Sequence, residues 1–278
     1  MGTQDGKPQR PRDFFASHPV FTHAEFIRAH TGTGRSQHTS NSLLAERIAT
    51  GSLLRIKRGV YATVPVGTDA ANYQPPPPLV ATKLADDAVV AYHSALEFHG
   101  RAYSLWTREQ YLTAGRLAPL RFRGVEYIAV QAPRAVRDLA DFGGGIEVRP
   151  YAEGAVRVTT LERTLVDLLH APGQGGGWEE IWRSLAMADY FELDAVLDHA
   201  LLMGSALTVA RIGFFLEQHR ESLMVPDAFL ARLAAHAPPQ PLYLDRQRKS
   251  GRLIKPWNLI VPKTVLEQAW EEPHEDRA

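Results

Sequence analysis

Apolar positions at the start of the chain follow first a helical period and then a strand-like one. Around Phe21-Thr22-His23-Ala24-Glu25-Phe26, Thr22 is placed to cap a helix and Glu25 follows three residues later to complete a capping box. Phe21 and Phe26 fill the two positions of a hydrophobic staple. The helix predicted there runs to His30 and stops at Thr31-Gly32-Thr33-Gly34. A second helix starts at Ser36 or, preferably, at Ser40, with Leu44, Ile48 and the stem of Arg47 facing inward and Gly51 ending it. The period then changes to two. Leu54 and Ile56 share one strand face, Arg55 and Lys57 share the other, and Arg58-Gly59 reads as a tight turn before Val60-Tyr61-Ala62-Thr63. Helix, turn, helix and two-stranded wing is the order of a winged helix-turn-helix.

The next segment, Pro65 to Pro78, ends in four consecutive prolines. Proline cannot enter a helix interior or a central strand, so an extended, stiff spacer is expected. The predicted organisation is a winged helix-turn-helix domain over 1–64, a proline-rich linker over 65–78 and a larger domain over 79–278. The fold class expected is α+β, with the second domain mixed.

Within that second domain, "PLVATKLA" and "VAYHSALEFHG" read as helices, and "PLRFRGVEYIAVQA" and "IEVRPYAEGAVRVTT" as strands with turns between them. From Thr159 the pattern is helical. Leu161, Leu165, Leu168 and Leu169 form a stripe, and Thr159 with Glu162 makes a second capping box. Further helices fill 177–236, and "PLYLDRQRKSGRLIKPWNLIVP" reads as a hairpin with a charged turn. No internal repeat is visible.

Composition narrows the function classes. The chain has 278 residues and no cysteine, which excludes disulfides, thiolate metal sites and cysteine nucleophiles. The beginning lacks the apolar stretch of a secretory signal. The most lipid-like segment, Ala200 to Leu216, is short and holds Arg211, so two buried helix pieces are expected and no membrane span. A soluble, cytoplasmic protein is expected. Net charge is zero, yet residues 1–64 hold nine Lys/Arg against four Asp/Glu, leaving the remainder equally acidic in excess. A basic head on an acidic body places polyanion binding in the head.

Candidate chemistry concentrates there. Arg55, Lys57 and Arg58 on a hairpin suit phosphates or a minor groove. The helix from Ser40 offers Asn41 as its one candidate for a bidentate base contact, with Ser42 beside it and Arg35, Gln37 and His38 supplementing from the turn. Glu46 on the same helix repels phosphate. Elsewhere, His93 and Glu97 are one helical turn apart while His99 falls on the opposite face, so packed histidines are expected and no metal site. "APGQGGGWEE" lacks the Gly-Lys-Ser/Thr ending of a phosphate loop, and Glu179 and Glu180 occupy a helix start, so it reads as a connector. Arg163 and Asp167, four residues apart, are expected to form a surface pair. Asp86, Asp87, Glu162 and Asp167 are not gathered by any compact motif, so no catalytic residue, cofactor or metal is predicted and the chain is not read as an enzyme.

The segment "GSLLRIKRGVY" resembles the winged-helix domain of AbiEi-like antitoxins of type IV toxin–antitoxin systems. "AYHSALEFHG" (Ala91 to Gly100), "TTLERTLVDLLHAPGQGGGWEEIWRSL" (Thr159 to Leu185) and "RIGFFLEQ" (Arg211 to Gln218) are similar to the antitoxin region of that family and stand in the same order. The resemblance covers most of the chain. It implies a repressor that binds inverted repeats in its own operon promoter, on double-stranded DNA. It also implies a C-terminal region that counters a nucleotidyltransferase-type toxin in phage defence, without catalysis. The family's DNA contacts come from the head, which here means the helix from Ser40 and Arg55, Lys57 and Arg58. Members often carry arginines in the first turns of the second helix, where this chain has Asn41 and Ser42. The alternatives are a nuclease delivered to DNA by a winged helix, and a winged helix used only for protein contacts.

Overall fold

The structure, a computed structural model, describes residues 11–31 and 37–270. Its elements begin with α1 (Pro11–Ser17), β1 (Val20–Thr22), α2 (His23–Thr31), α3 (Gln37–Ala49), β2 (Leu53–Lys57), β3 (Val60–Thr63) and α4 (Pro77–Ala81). There follow β4 (Val89–Val90), α5 (His93–Phe98), β5 (Arg108–Thr113), β6 (Leu120–Phe122), β7 (Val125–Gln131), β8 (Ile146–Tyr151) and β9 (Gly154–Thr159). The remainder is α6 (Leu161–His170), α7 (Trp178–Leu185), α8 (Leu193–Leu202), α9 (Ala206–Gln218), α10 (Asp227–Ala234), β10 (Leu242–Tyr243), β11 (Arg252–Ile254), β12 (Leu259–Val261) and α11 (Lys263–Leu266). The architecture is mixed α and β. Contacts divide it into two compact units. The first holds the described residues up to Val90 with Thr107–Val130 and Val148–Val158; the second holds Ala91–Trp106, Gln131–Glu147 and the described residues from Thr159. This division does not fall at the proline segment.

In the first unit an aromatic core forms where the sequence pattern is helical. Phe14, Phe15, Phe21, Phe26, Leu44 and Leu53 are buried together. Phe14 and Phe15 each stand 5.4 Å from the Phe26 ring, edge-on and stacked respectively. The helix α1 that supplies both was not among the expected elements. The capping box forms as expected: Thr22 Oγ1 accepts from the Glu25 amide at 3.2 Å, and Glu25 Oε2 accepts from the Thr22 amide at 2.7 Å. The staple rings of Phe21 and Phe26 lie 6.0 Å apart. A three-residue strand, β1, pairs antiparallel with β3, giving the sheet order β1-β3-β2.

Two expectations in this region need correction. Helix α3 includes Gln37, so it begins before Ser40, and Ser40 is an interior, buried position. Strand β2 carries a register shift between Arg55 and Lys57, so Leu53 and Ile56 are buried and Leu54 is only half-buried. A bulge adds one residue to one strand and breaks strict alternation. Gly51 ends α3 at φ +73° and Gly59 makes the hairpin turn at φ +81°, a backbone region that side-chain-bearing residues avoid.

The proline run is not extended throughout. Pro76 caps α4, and Pro77 and Pro78 are its first residues. The first turn of a helix has no intrahelical acceptor for its amides, so a residue without N–H fits there. The larger sheet has the order β6-β7-β5-β4-β9-β8, with β4 antiparallel to β5 and parallel to β9. Asp87 secures the end of β5 by accepting from Thr113 Oγ1 at 2.6 Å and from the Ala114 amide at 2.7 Å. Two lysines connect the aromatic core region to the segment after α4: Lys83 pairs with Glu25, and Lys57 Nζ donates to the Leu84 carbonyl at 2.8 Å.

The second unit is mostly helical, with α6 packed against α8 and α9. Its cap is Thr160, whose Oγ1 accepts from the Arg163 amide at 3.3 Å; the expected Thr159 instead contacts Thr164 Oγ1 at 2.8 Å. The apolar segment does form two helix pieces, the end of α8 and most of α9; α9 is buried, whereas Leu201 and Leu202 at the end of α8 are exposed, and among the described residues no helix is long and apolar enough to cross a membrane. The C-terminal hairpin differs from expectation. Strand β10 pairs parallel with β12, and β11 pairs antiparallel with β12, so the charged segment joins two strands that do not pair with each other.

Candidate functional site

The β2–β3 hairpin presents its three cations unequally. Arg55, on β2, and Arg58, in the turn, are exposed, and neither has a hydrogen bond or ion pair to any described residue. Lys57 is half-buried and engaged at the Leu84 carbonyl. Two exposed guanidinium groups, unbonded among the described residues, on a short, glycine-turned hairpin form a compact source of positive charge. Each can fork onto phosphate oxygens, and neither must break a bond to a described residue to do so.

Helix α3 contributes less. Asn41 is exposed, but its Oδ1 lies 2.7 Å from His23 Nε2, which ties α3 to the start of α2. Ser42 Oγ donates to the His38 carbonyl at 3.1 Å, a back-bond to the preceding turn that occupies its proton. His38 is exposed and Ser40 is only 4% exposed, so its hydroxyl is withheld from the surface. Gln37 opens the helix, and Arg35 lies outside the described residues. Thr39, Ala45, Glu46 and Ala49 complete the exposed face. Its polar groups are therefore few, and the carboxylate of Glu46 opposes a phosphate.

Two polar clusters in the second unit went beyond sequence reasoning. His93 is fully buried, with Nδ1 2.9 Å from Glu97 Oε1 and Nε2 2.9 Å from Glu180 Oε1, and its ring stacks on Trp106 at 3.6 Å. The contact with Glu97 follows from helical spacing. The contact with Glu180, 87 residues away, does not. Burial pushes the Glu180 carboxyl up, but hydrogen bonds from His93 and from Ser104 outweigh it and hold the group below its usual range.

The second cluster corrects the expected surface pair. Arg163 and Asp167 are 1% and 0% exposed, with Nε 3.2 Å from Oδ2. Arg163 also donates to the carbonyl of Gly144, so one guanidinium holds a helix carboxylate and a loop. His199 Nε2 stands 3.5 Å from Asp167 Oδ1, long enough to be an electrostatic contact more than a formed hydrogen bond. Among the described residues, no group of three His, Asp or Glu side chains gathers as a metal site would.

The chain matches no family model and no curated protein. It is similar in structure to the RV2827C protein from Mycobacterium tuberculosis, with a TM-score of 0.56 at 16% sequence identity, covering 92% of this chain and 90% of that one. At that identity the similarity shows the fold alone.

Proposed function

We propose that the protein is a DNA-binding antitoxin of the type IV kind, which represses its own operon promoter and counteracts a nucleotidyltransferase-type toxin. In this reading α2 and α3 with the β1-β3-β2 sheet act as a winged helix-turn-helix, and the hairpin is the wing. The observation that carries the DNA-binding half is the pair of exposed arginines, Arg55 and Arg58, on that hairpin, neither bonded to a described residue. Phosphate contacts from such groups supply sequence-independent affinity. With Asn41 engaged by His23, base readout by α3 is weak, and affinity rests on the wing. The segments that resemble the AbiEi-like antitoxin region support the second half; they fold here as α5, α6, α7 and α9.

The binding half is tested by titrating the protein onto a duplex carrying its own promoter at low salt. Binding weakened by Arg55→Ala and Arg58→Ala is expected, and no binding at low salt would overturn it. The antitoxin half is tested by co-expression with the adjacent nucleotidyltransferase gene, where restored growth is expected and continued toxicity contradicts it.

A further inference from the structure

Arg211, on α9, is 5% exposed and has no carboxylate within ion-pair distance among the described residues. Its Nε and Nη2 donate to the Leu244 carbonyl at 2.8 and 2.5 Å, and its Nη1 donates to the Leu169 carbonyl at 2.9 Å and the His170 carbonyl at 3.3 Å. Neutral carbonyls satisfy its protons, the Trp178 ring lies 5.3 Å from its guanidinium carbon, and Asp245 offsets its charge only from beyond ion-pair distance, a costly state for a buried cation. Burial pushes the guanidinium down to about 10.

This cation forms the wall of a cavity of about 560 Å³, within the size range of small-molecule sites. Arg246 and Arg248, both exposed, also line it, against Asp245 as its one carboxylate. An adjoining cavity of about 490 Å³ shares His170, Arg211, Asp245 and Arg246 with it. The lining thus has an excess of two positive charges. Leu242 and Tyr243, each 37% exposed, also line it and add apolar surface and a phenol ring. Three arginines and a tyrosine lining one cavity of this size match a ligand with an anionic part and a planar part. Thr208 Oγ1, 2.9 Å from His170 Nδ1, adds a neutral polar group, and burial depresses the His170 pKa.

We propose that this cavity binds a nucleoside phosphate, its phosphates on Arg246 and Arg248 in the field of Arg211 and its base on Tyr243. The site lies wholly in the second unit and does not depend on the hairpin arginines of the first.

Calorimetric titration of the full chain with ATP, GTP, CTP and UTP tests this, with inorganic pyrophosphate as the phosphate-only arm and adenosine as the base-only arm. Saturable nucleotide binding is expected, weakened about tenfold or more by Arg246→Ala with Arg248→Ala. Tyr243→Ala weakens it severalfold, and pyrophosphate and adenosine each bind less tightly than the nucleotides. Both arginines are exposed, so the fold tolerates the change, and promoter binding by the same double variant remains intact. The proposal fails if no nucleotide binds saturably, if either variant binds as the parent does, or if pyrophosphate or adenosine alone matches the nucleotides.

Discussion

Lys57 Nζ donates to the main-chain carbonyl of Leu84 at 2.8 Å, a bond that spans 27 residues. That engagement separates Lys57 from Arg55 and Arg58, its neighbours in the hairpin. Lys57→Met keeps most of the stem and removes the donor. Its expected cost is about 1 kcal/mol of unfolding free energy, seen as a lower denaturant midpoint at unchanged slope. DNA affinity should change much less than in either arginine variant; an equal loss would place Lys57 among the DNA contacts.

Glu25 has two duties, accepting from the Thr22 amide at 2.7 Å and pairing with Lys83. Burial pushes its carboxyl up, but the bonds from Lys83 and Thr22 outweigh it and hold the pKa below the ordinary 4.5. A carboxyl whose folded value lies below its unfolded one stabilises fully above the unfolded value and loses that contribution as pH falls through the folded value. Glu25→Gln should therefore flatten the acid limb of the stability curve below 4.5, measured by urea unfolding across pH. An acid limb as steep as the parent's would show that the pair contributes nothing.

Asp167, which is fully buried, should behave in the same direction. Burial raises its carboxyl, while His199 and the charge of Arg163 outweigh that and hold it below the ordinary 3.8. Its contribution is complete above that value and is lost as pH falls through the folded one. Asp167→Ala leaves Arg163 buried and uncompensated, at an expected cost of about 3–5 kcal/mol. Replacing both partners with apolar residues of similar volume should cost less than the two single changes summed. A double variant that loses the full sum would indicate that the charges act independently.

Gly213, in the middle of α9, gives the Trp257 ring its place: a Cβ built there would lie 2.1 Å from the ring. Trp257 is buried and its Nε1 donates to Glu217 Oε2 at 2.7 Å, so the indole cannot move aside freely. Gly213→Ala should destabilise by about 1–3 kcal/mol and alter the near-ultraviolet dichroism of Trp257. Unchanged stability and spectrum would mean that the ring relocates at no cost.

What the sequence made legible was local chemistry. The Thr22–Glu25 box, the Phe21–Phe26 staple and the turns at Gly51 and Gly59 each need only a few neighbouring residues, and each forms. Spacing alone could not distinguish a buried Arg163–Asp167 pair from a surface one, because the i, i+4 geometry is the same in both; burial is set by α8 and α9 packing on α6. The bulge in β2 was invisible for a related reason. A strand of five residues has too few alternations to reveal an inserted one. Long-range bonds such as Glu180 to His93 and Lys57 to Leu84 leave no periodic trace at all. Of the candidate DNA contacts, the hairpin arginines were readable as charge, whereas the engagement of Asn41 by His23 required the packing of α2 on α3.

Affinity for DNA is predicted to reside in Arg55 and Arg58 of the hairpin. The most direct test is the salt dependence of binding to a promoter duplex, followed by fluorescence anisotropy from about 50 to 300 mM salt. For Arg55→Ala with Arg58→Ala, weaker binding is predicted at every salt concentration, with a log–log slope shallower than the parent's by roughly two. A double variant that binds with the parent's affinity and slope would contradict the account.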